Sequence, residues 1–460
     1  MAENKESDVV EEEKNCKLTY YFRDLLKERI NFQIPREETV DIVRAIETLV
    51  SIILGHVTSK VHWLPFSRLL KVGSMAERTS IVFPDEFDYL AIYKQNGMQV
   101  ERVCKEDRGY AHIKVTDPDL KKRWCKWLRG DYLQAYFKTH GFAVMLPEYF
   151  DTLGNAFMYE VSQISKSVSD VGVCPTTTGL MRIDKRVQKN GPAFTQHFLW
   201  EPYTRQKRKR TIKVDITPAI EFDLNDDIIN ENDTFHTDVL NKTVKHGKFM
   251  LVLTHDQGPS CPLCFRLTFT ETEVDLVRCL DTHHKDCYKL LKFIFNSGGG
   301  VTFLSSYVFK TLVLKHGYHC KETANLAVCF KQLVAVCLHY LFNRKTEEKI
   351  EVSRLVRLFM RGEKFKLHIP SIFIKGHNIM DSKDFQIPCE QFLLGIERML
   401  QSVEEICFAE NPKVDDIVIV NSHMTAFVSY AKSSQLVNKH LELQKCISII
   451  QQYFNSNVLE

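Results

Sequence analysis

The chain has 460 residues, 44% of them hydrophobic and 26% charged, which is typical of a soluble globular protein with one large bilobed unit or two to three domains. The formal net charge of +3 excludes a polycation, so any contact with nucleic acid must come from local basic patches. No apolar run reaches the roughly 18 residues of a spanning helix, so no membrane association is expected. The 14 cysteines follow no regular spacing and the N-terminus has no apolar signal core, which predicts a reduced cytoplasmic protein, with a nuclear fraction as the alternative.

The N-terminal half shows one helical pattern followed by alternating patterns. Residues 1–15 are charged and lack periodic apolar positions, which predicts a disordered acidic tail. From Pro35 onward, acidic residues open a long segment that we expect to form a spine helix. Its apolar residues recur at helical spacing, at Val40, Val43, Ile46, Val50 and Ile53. The period then falls towards two in residues 68–93, 211–222 and 264–272, which predicts strands.

The C-terminal half is mainly helical in pattern. Helical periodicity begins near Lys285 and returns in several segments up to the C-terminus. The sequence therefore predicts an α+β fold with a mixed central sheet. We expect a core lobe over residues 16–235 and a mainly helical lobe over residues 236–460, with the polar segment 225–245 as the candidate linker.

The segment VGSMAERTSIVFPDEFDYL, residues 72–90, places two carboxylates one residue apart in a strand-like run. Because side chains alternate along a strand, Glu86 and Asp88 point to one face, and Phe87 and Tyr89 point to the other. Adjacent carboxylates repel each other unless a positive charge lies between them, and Mg²⁺ prefers such hard oxygen ligands. A pair of ions needs a third acid, and Asp215, centred in the alternating segment TIKVDIT, is the obvious candidate.

A Gly-Ser pair, Gly73 and Ser74, lies twelve residues before the first acid. Backbone N–H groups and a hydroxyl in such a turn can contact phosphate oxygens, and a helix that starts there adds its positive end. The pattern favours a site for metal ions and a nucleotide. The alternative is a solvated edge strand with an ordinary turn, which we disfavour because the flanking apolar residues are expected to be buried. These flanking residues are Val82, Phe83, Tyr89, Leu90 and Ile92.

This segment resembles the GS…(P)xEFD signature of cyclic GMP-AMP synthase and the related animal receptors, which belong to the DNA polymerase beta nucleotidyltransferase superfamily. Four further segments resemble motifs of the same family, in the same order. TIKVDIT is similar to its third-acid strand, FRLTFTETE to its base-contacting segment, KDCYKLLK to its triphosphate-binding helix and LSSYVFKT to its Ser-Ser-Tyr helix start. The resemblance runs from the spine helix to at least residue 312. It implies a bilobed, polymerase-beta-like nucleotidyltransferase with its active site in the cleft between the lobes.

The resemblance also implies a reaction, in which two nucleoside triphosphates such as ATP and GTP are joined into a cyclic dinucleotide. This product would be a second messenger of innate immune and antiviral signalling, bound by a downstream receptor. Double-stranded RNA or another nucleic acid would activate the enzyme and could assemble several copies of it.

The same resemblance gives each site residue a role. Two Mg²⁺ or Mn²⁺ ions would be held by Glu86, Asp88 and Asp215, and Asp215 would also orient or deprotonate the attacking hydroxyl. Phosphate contacts would come from Gly73, Ser74, Lys289, Lys292 and Ser306. Base contacts would come from Arg266, Glu273 and Tyr307.

The sequence departs from the vertebrate enzyme at that enzyme's zinc-binding insertion, which precedes the K-D-C helix. Here the region is the short segment EVDLVRCLDTHH. Cysteines and histidines occur nearby, at Cys261, Cys264, Cys279, His283, His284 and Cys287. Cys287 aligns with a residue that is not a ligand, and the spacing is not that of a closed tetrahedral site. We therefore expect no structural zinc, and the missing insertion weakens the case for DNA as the activator.

Basic residues cluster in three stretches, at residues 121–129, 205–210 and 354–366. Each could contact the phosphate backbone of a nucleic acid, or could be a solvated face of ordinary structure. Two other functions stay open as alternatives. One is an enzyme that makes linear oligonucleotides or extends RNA ends, and the other is a non-catalytic scaffold of the wider Mab family. All three acids are present, which argues against the scaffold.

Overall fold

The structure is a computed structural model of the chain. It describes residues 15–16, 19–60, 65–101, 109–134, 172–190, 193–204, 208–224, 247–252, 263–296, 306–320, 325–330, 332–333, 364–366 and 386–388. These residues fall into two compact units. The sheet unit holds the described residues between 32 and 278, and the helical unit holds those before 32 and after 278. The predicted linker 225–245 lies outside the described residues, as does the predicted tail up to residue 14; residues 15 and 16 are helical.

In the residues that the structure describes, the sheet unit is built on one sheet of twelve strands. The strands are β1 (Phe66–Val72), β2 (Glu86–Tyr93), β3 (Met98–Glu101), β4 (Tyr110–Val115), β5 (Leu128–Arg129), β6 (Tyr132–Leu133), β7 (Val173–Pro175), β8 (Gly179–Asn190), β9 (Ala193–Pro202), β10 (Arg210–Asp223), β11 (Lys248–Val252) and β12 (Phe265–Thr268). The helices are α1 (Arg36–Lys60), α2 (Gly73–Glu77), α3 (Pro118–Trp124), a short 3₁₀ helix (Cys125–Trp127) and α4 (Thr270–Cys279). The large sheet with several helices confirms the predicted α+β class.

The central strand of the sheet is β10. The strand order is β5-β6-β4-β12-β11-β10-β9-β8-β7, with β3 beside β4, and with β2 beside β10 followed by β1. One edge of β10 pairs with β2 in parallel, and the other edge pairs antiparallel with β9 up to Ile216 and with β11 from Ala219. Pro218, which has no backbone N–H to donate, lies at the change from β9 to β11. The position of β10 places Asp215 in the middle of the sheet.

Two predicted strands differ in extent from the observed elements. The alternation at residues 68–93 contains β1 and β2, but α2 separates them. The strand predicted at 264–272 ends at Thr268, and helix α4 begins at Thr270, because the apolar period lengthens within TETEVDLVRC. Strands β11 and β12 belong to the sheet, so the sheet unit extends past residue 235.

The predicted spine helix is present as α1. Its buried face consists of Ile42, Ala45, Ile46, Leu49, Val50, Ile53, Leu54 and Val57. Spacing of three and four residues places these side chains on one side of the helix. Val40, which was expected on this face, is 46% exposed. The reason is geometric, since Val40 lies about 160° around the helix from Ile42 at 3.6 residues per turn.

Polar contacts fix α1 to the sheet. The Asp41 carboxylate accepts hydrogen bonds from Thr177 Oγ1 at 2.6 Å and from the backbone N–H and Oγ1 of Thr178, both at 2.8 Å. The bond from Thr177, supported by those from Thr178, outweighs burial and lowers the pKa of Asp41 to about 2. Trp200 of β9 donates its indole N–H to Glu38 Oε1 at 3.1 Å. The helix is thereby anchored to the turn between β7 and β8 and to β9.

An apolar core lies between the sheet and the helices α2 and α4. Its buried members are Val72, Leu90, Ile92, Ala219, Met250, Val252 and Val274, and Leu70 and Ala76 pack against them. Arg68 of β1 crosses this region and donates hydrogen bonds to Glu221 of β10 and Glu271 of α4, at 2.8 Å each. These contacts connect β1 and β10, the strands next to the two predicted acidic positions on β2.

The helical unit contains residues 19–25, which are helical, a π-helical turn (Leu26–Ile30), α5 (Thr282–Asn296), α6 (Ser306–His319), a helical segment at 326–330 and a small antiparallel pair, β13 (Lys364–Lys366) and β14 (Gln386–Pro388). Phe22 packs against Phe330 with ring centroids 4.7 Å apart. Thr19 Oγ1 donates to Asn325 Oδ1 at 2.7 Å. The N-terminal helical segment is therefore part of this unit. The helices expected beyond residue 333 lie outside the described residues. Within the described part of the chain, every helix is too short or too polar to cross a membrane.

Candidate metal and nucleotide site

Strands β2 and β10 bring the three predicted acids together. In their parallel pairing, Asp215 lies opposite Asp88, and Lys213 lies opposite Glu86. One carboxylate oxygen from each of Glu86, Asp88 and Asp215 lies within 4.8 Å of the other two. Glu86 is exposed, and the other two are half-buried. This acid cluster is therefore supported by the sheet and reachable from solvent.

The local pattern of β2 explains why the acids reach solvent. In its first four residues, Glu86 and Asp88 are at least partly exposed, and Phe87 and Tyr89 are buried. From there to the end of the strand every side chain is buried. Val82 is an exception among the flanking residues expected to be buried, because it is 41% exposed. It lies in the turn before β2, with a φ of 64°, where no strand pairing covers it.

The composition of the acid cluster fits a hard divalent cation. All three donors are carboxylate oxygens, which suit Mg²⁺ or Mn²⁺ better than a metal that prefers thiolate or imidazole ligands. Two unit charges 4.8 Å apart repel each other by roughly 3.5 kcal/mol at an effective dielectric constant of about 20, and more at shorter distances. A bound cation would relieve this repulsion, so the cluster favours metal binding on electrostatic grounds.

Strand β9 contributes a residue that the sequence did not indicate. Thr195 lies opposite Asp215 in the β9–β10 pair, and its hydroxyl donates a short hydrogen bond to Asp215 Oδ1. Thr195 is buried, and this bond holds the half-buried Asp215 carboxylate in one orientation. His197, two residues further on the same face, is also buried, and burial followed by the charge of Arg186 lowers its pKa. Three consecutive polar residues, Thr195 to His197, interrupt the apolar run of β9, so no alternation in the sequence pointed to Thr195.

Gly73 approaches the acid cluster more closely than any other residue type could. Val72, which precedes it, pairs with Asp88 across β1 and β2. Gly73 has a φ of 67°, and an ideal Cβ built on it would lie 2.7 Å from Asp88 Cγ and would overlap the carboxylate. Both the backbone conformation and the space therefore require glycine.

The Gly-Ser turn continues into a helix of a single turn. Helix α2 has five residues, so it contributes little of the positive helix end that was expected at this position. Ser74 is half-buried, and its carbonyl accepts the N–H of Thr79 at 2.8 Å. Arg278 of α4 donates its Nε–H to the carbonyl of Ala76 at 2.9 Å. These bonds fix the turn beside the acids.

The two predicted base contacts in the sheet unit lie outside the acid cluster. Arg266 is an exposed residue of β12, two strands from β10 in the sheet order, which corresponds to roughly 10 Å. Glu273 is buried in α4, 5% exposed. Among the described residues, the group of possible metal ligands around Asp215 consists of Glu86, Asp88 and Asp215, so Glu273 is not part of it.

The remaining predicted residues lie in the helical unit. Tyr288 of α5 has Lys292 Nζ 5.3 Å from its ring centroid and donates its hydroxyl to the carbonyl of Ser306 at 3.1 Å. Lys289 Nζ donates to Asn31 Oδ1 at 3.1 Å. Both lysines therefore lie in the middle of α5, and Tyr288 in the same stretch contacts the start of α6.

Tyr307, at the start of α6, is the aromatic residue predicted to contact a base. It is 37% exposed, and Lys310 Nζ lies 4.9 Å from its ring centroid. An exposed ring with a cation beside it provides a surface on which a nucleobase could stack.

Comparison of the chain with protein-family models finds no match. Comparison with curated proteins likewise finds no significant match.

Proposed function

We propose that the chain is a metal-dependent nucleotidyltransferase of the bilobed, polymerase-beta-like type, related to cyclic GMP-AMP synthase and to the animal receptors that resemble this synthase. The observation that carries the proposal is the convergence of Glu86, Asp88 and Asp215 on two adjacent parallel strands. The Gly73-Ser74 turn beside Asp88 supports it, because that turn can contact a phosphate next to the ions. The product would be a cyclic dinucleotide made from ATP, GTP or other nucleoside triphosphates.

The residues of the site would act mainly by positioning and by charge. Glu86, Asp88 and Asp215 would hold two Mg²⁺ or Mn²⁺ ions. When bound, these ions would neutralise the triphosphate and lower the pKa of the attacking ribose hydroxyl. Thr195 would keep the Asp215 carboxylate oriented towards that hydroxyl, from which Asp215 would accept the proton. The half-buried position of Asp215 favours this role over that of Glu86, which is exposed.

Further contacts to the nucleotides are part of the same proposal. Lys289, Lys292 and Ser306 would contact phosphates, and Tyr307 would stack on a base. Their basis is the motif resemblance together with the contacts of Tyr288, whose ring lies near Lys292 Nζ and whose hydroxyl donates to the carbonyl of Ser306. The same resemblance assigns base contacts to Arg266 and Glu273.

A nucleic-acid activator, with double-stranded RNA as the first candidate, belongs to the proposal as well. Helix α3 supports this part of the proposal, because it has a cationic face. Lys122 and Arg123 are exposed, whereas Trp124 and Trp127 are buried with ring centroids 6.1 Å apart. This is a structural helix with a cationic face, and a strong fall of activation with added salt would indicate that the face binds phosphates.

The test is product analysis with purified protein. Labelled ATP, GTP, CTP and UTP are supplied with Mg²⁺ or Mn²⁺, with and without long double-stranded RNA or DNA, and products are identified by thin-layer chromatography and mass spectrometry. We expect a cyclic dinucleotide. A ladder of linear products would instead assign the chain to the enzymes that make linear oligonucleotides or extend RNA ends.

A pair of variants tests whether the acid cluster is the metal site of the reaction. The double variant Asp88→Asn with Asp215→Asn should abolish product formation, since it removes two of the three acidic ligands. Asp223→Asn is the matched control, because Asp223 lies at the far end of the same strand with its side chain 77% exposed. Activity retained in the double variant would exclude the acid cluster as the metal site.

A further inference from the structure

A second group of metal-type ligands lies in the helical unit, and the proposed function does not use it. The group consists of His284 on α5, His316 on α6, Cys320 just after α6 and Cys329 in the helical segment at 326–330. Each residue offers a ring nitrogen or a sulfur atom, and these four atoms lie within 4.8 Å of one another. We refer to these residues as the Cys/His group. Of the cysteines and histidines considered in the sequence, only His284 belongs to it.

The distances within the Cys/His group fit a shared tetrahedral ion. The sulfurs of Cys320 and Cys329 are 3.7 Å apart, and Cys329 Sγ is 3.9 Å from His284 Nε2. With Zn–S bonds of about 2.3 Å and Zn–N bonds of about 2.0 Å, tetrahedral geometry predicts about 3.8 Å between two sulfurs and about 3.6 Å between sulfur and nitrogen. A disulfide would require about 2.05 Å between the sulfurs. The two cysteines are therefore not joined by a disulfide, and their sulfurs lie at the spacing of metal ligands.

The ligands come from three separate helical elements. His316 and Cys320 are four residues apart, and the backbone N–H of Cys320 donates to the carbonyl of His316 at 2.8 Å. One helical turn therefore places both on the same face. His284 and Cys329 are supplied by α5 and by the segment at 326–330. An ion held by all four would connect these elements, which is what structural metal sites do in small helical cores.

His284 also has the surroundings of a metal-binding histidine. The residue is buried, 1% exposed. Nε2 faces Cys329, and Nδ1 lies 3.9 Å from a carboxylate oxygen of Asp281. Ligating histidines commonly direct the second ring nitrogen to a carboxylate, which fixes the tautomer and the orientation of the ring.

We propose that His284, His316, Cys320 and Cys329 bind a structural Zn²⁺ ion. Two thiolates and two imidazoles form a closed donor set typical of structural zinc, and no position is left for a substrate. Binding at neutral pH would release the two thiol protons. This proposal replaces the expectation, drawn from the sequence, of no structural zinc.

The other cysteines and histidines of this region have different surroundings. Cys279 is exposed. Cys287 is buried and donates its thiol to the carbonyl of Leu326 at 3.7 Å. Asp281, His283 and His284 form an overlapping group of three ligands. Because His284 belongs to both groups, the experiment must distinguish a metal ion bound by this group of three from one bound by the Cys/His group.

The experiment measures metal content and coordination. The full chain is purified without chelator and analysed by inductively coupled plasma mass spectrometry, and we expect one zinc ion per chain. The double variant Cys320→Ser with Cys329→Ser should lose this zinc. Cys279→Ser and His283→Ala are the controls and should retain it. Cys320→His keeps a ligand at the same position and should also retain it.

Absorption spectra of the Co²⁺-substituted protein report the ligands and the geometry of the metal site independently of enzymatic activity. The wild-type chain loaded with Co²⁺ should show a thiolate-to-cobalt charge-transfer band and the intense visible bands of tetrahedral cobalt, and both should weaken in Cys320→His, which keeps one thiolate. Wild-type protein without zinc and without these bands would overturn the proposal even if the double variant failed to fold. Zinc retained in the double variant but lost in His283→Ala would assign the ion to the overlapping group and would equally overturn it. None of these readouts depends on nucleotidyl transfer.

Discussion

Replacing Gly73 by alanine tests how closely the backbone must approach the acid cluster. At a φ of 67°, alanine costs about 1–2 kcal/mol of stability relative to glycine. The new Cβ would lie 2.7 Å from Asp88 Cγ, whereas carbon atoms in contact normally lie about 3.5–4.0 Å apart. Either the turn or the carboxylate must therefore shift by roughly 1 Å, and a displacement of that size can lower a reaction rate by about 100-fold. We expect Gly73→Ala to lower the rate of nucleotide incorporation by about that factor.

Gly130 supplies a matched control for this substitution. It has a φ of 62°, and a Cβ built on it would meet no described atom within 4 Å. Gly130→Ala should therefore cost the same backbone strain but leave the acid cluster undisturbed. Initial rates with labelled ATP and GTP and Mn²⁺ would be compared with unfolding free energies from urea titration. A wild-type rate in Gly73→Ala would refute the predicted clash, and equal rate losses in both variants would show that stability, rather than the position of Asp88, limits the rate.

Two further predictions concern helix α1. Asp41→Ala removes three hydrogen bonds to a carboxylate and should lower the unfolding free energy at pH 7 by roughly 2–3 kcal/mol, measured by urea titration. The pKa of Asp41 is about 2 in the folded chain, against an ordinary 3.8. Its contribution to the unfolding free energy is therefore full above about pH 4 and is lost as the pH falls towards 2, where the stabilities of wild type and variant should converge. Equal stability of the two proteins at pH 7 would contradict this prediction. Gly55→Ala, at an exposed helical position with no described atom within 4 Å of the new Cβ, should raise the unfolding free energy by about 0.5–1 kcal/mol and the thermal midpoint with it, and a lower midpoint would be the contrary result.

Part of the fold was predictable because it depends on local periodicity. Helix α1 and strand β10 carry clear periods of about 3.6 and 2, and both are present close to the predicted bounds. Strands β3 to β9 and β11 were missed. The first six residues of β9 are all buried, so no alternation marks it as a strand. Its Thr195, which holds Asp215, was missed with it.

The candidate sites show the same division. The spacing of Glu86 and Asp88 is enough to put both on one face of a strand, because side-chain direction along a strand is a local property. The parallel register that sets Asp215 opposite Asp88, and the backbone of Gly73 against that carboxylate, depend on how distant segments pair.

The sequence by itself therefore determined the α+β class, the spine helix and the face on which two of the acids lie, since each follows from residues close together in the chain. Tertiary structure alone decided the meeting of the three acids, the support from Thr195 and the grouping of His284, His316, Cys320 and Cys329. The physical reason is that these distances are set by strand register and helix packing, which join residues far apart in the sequence.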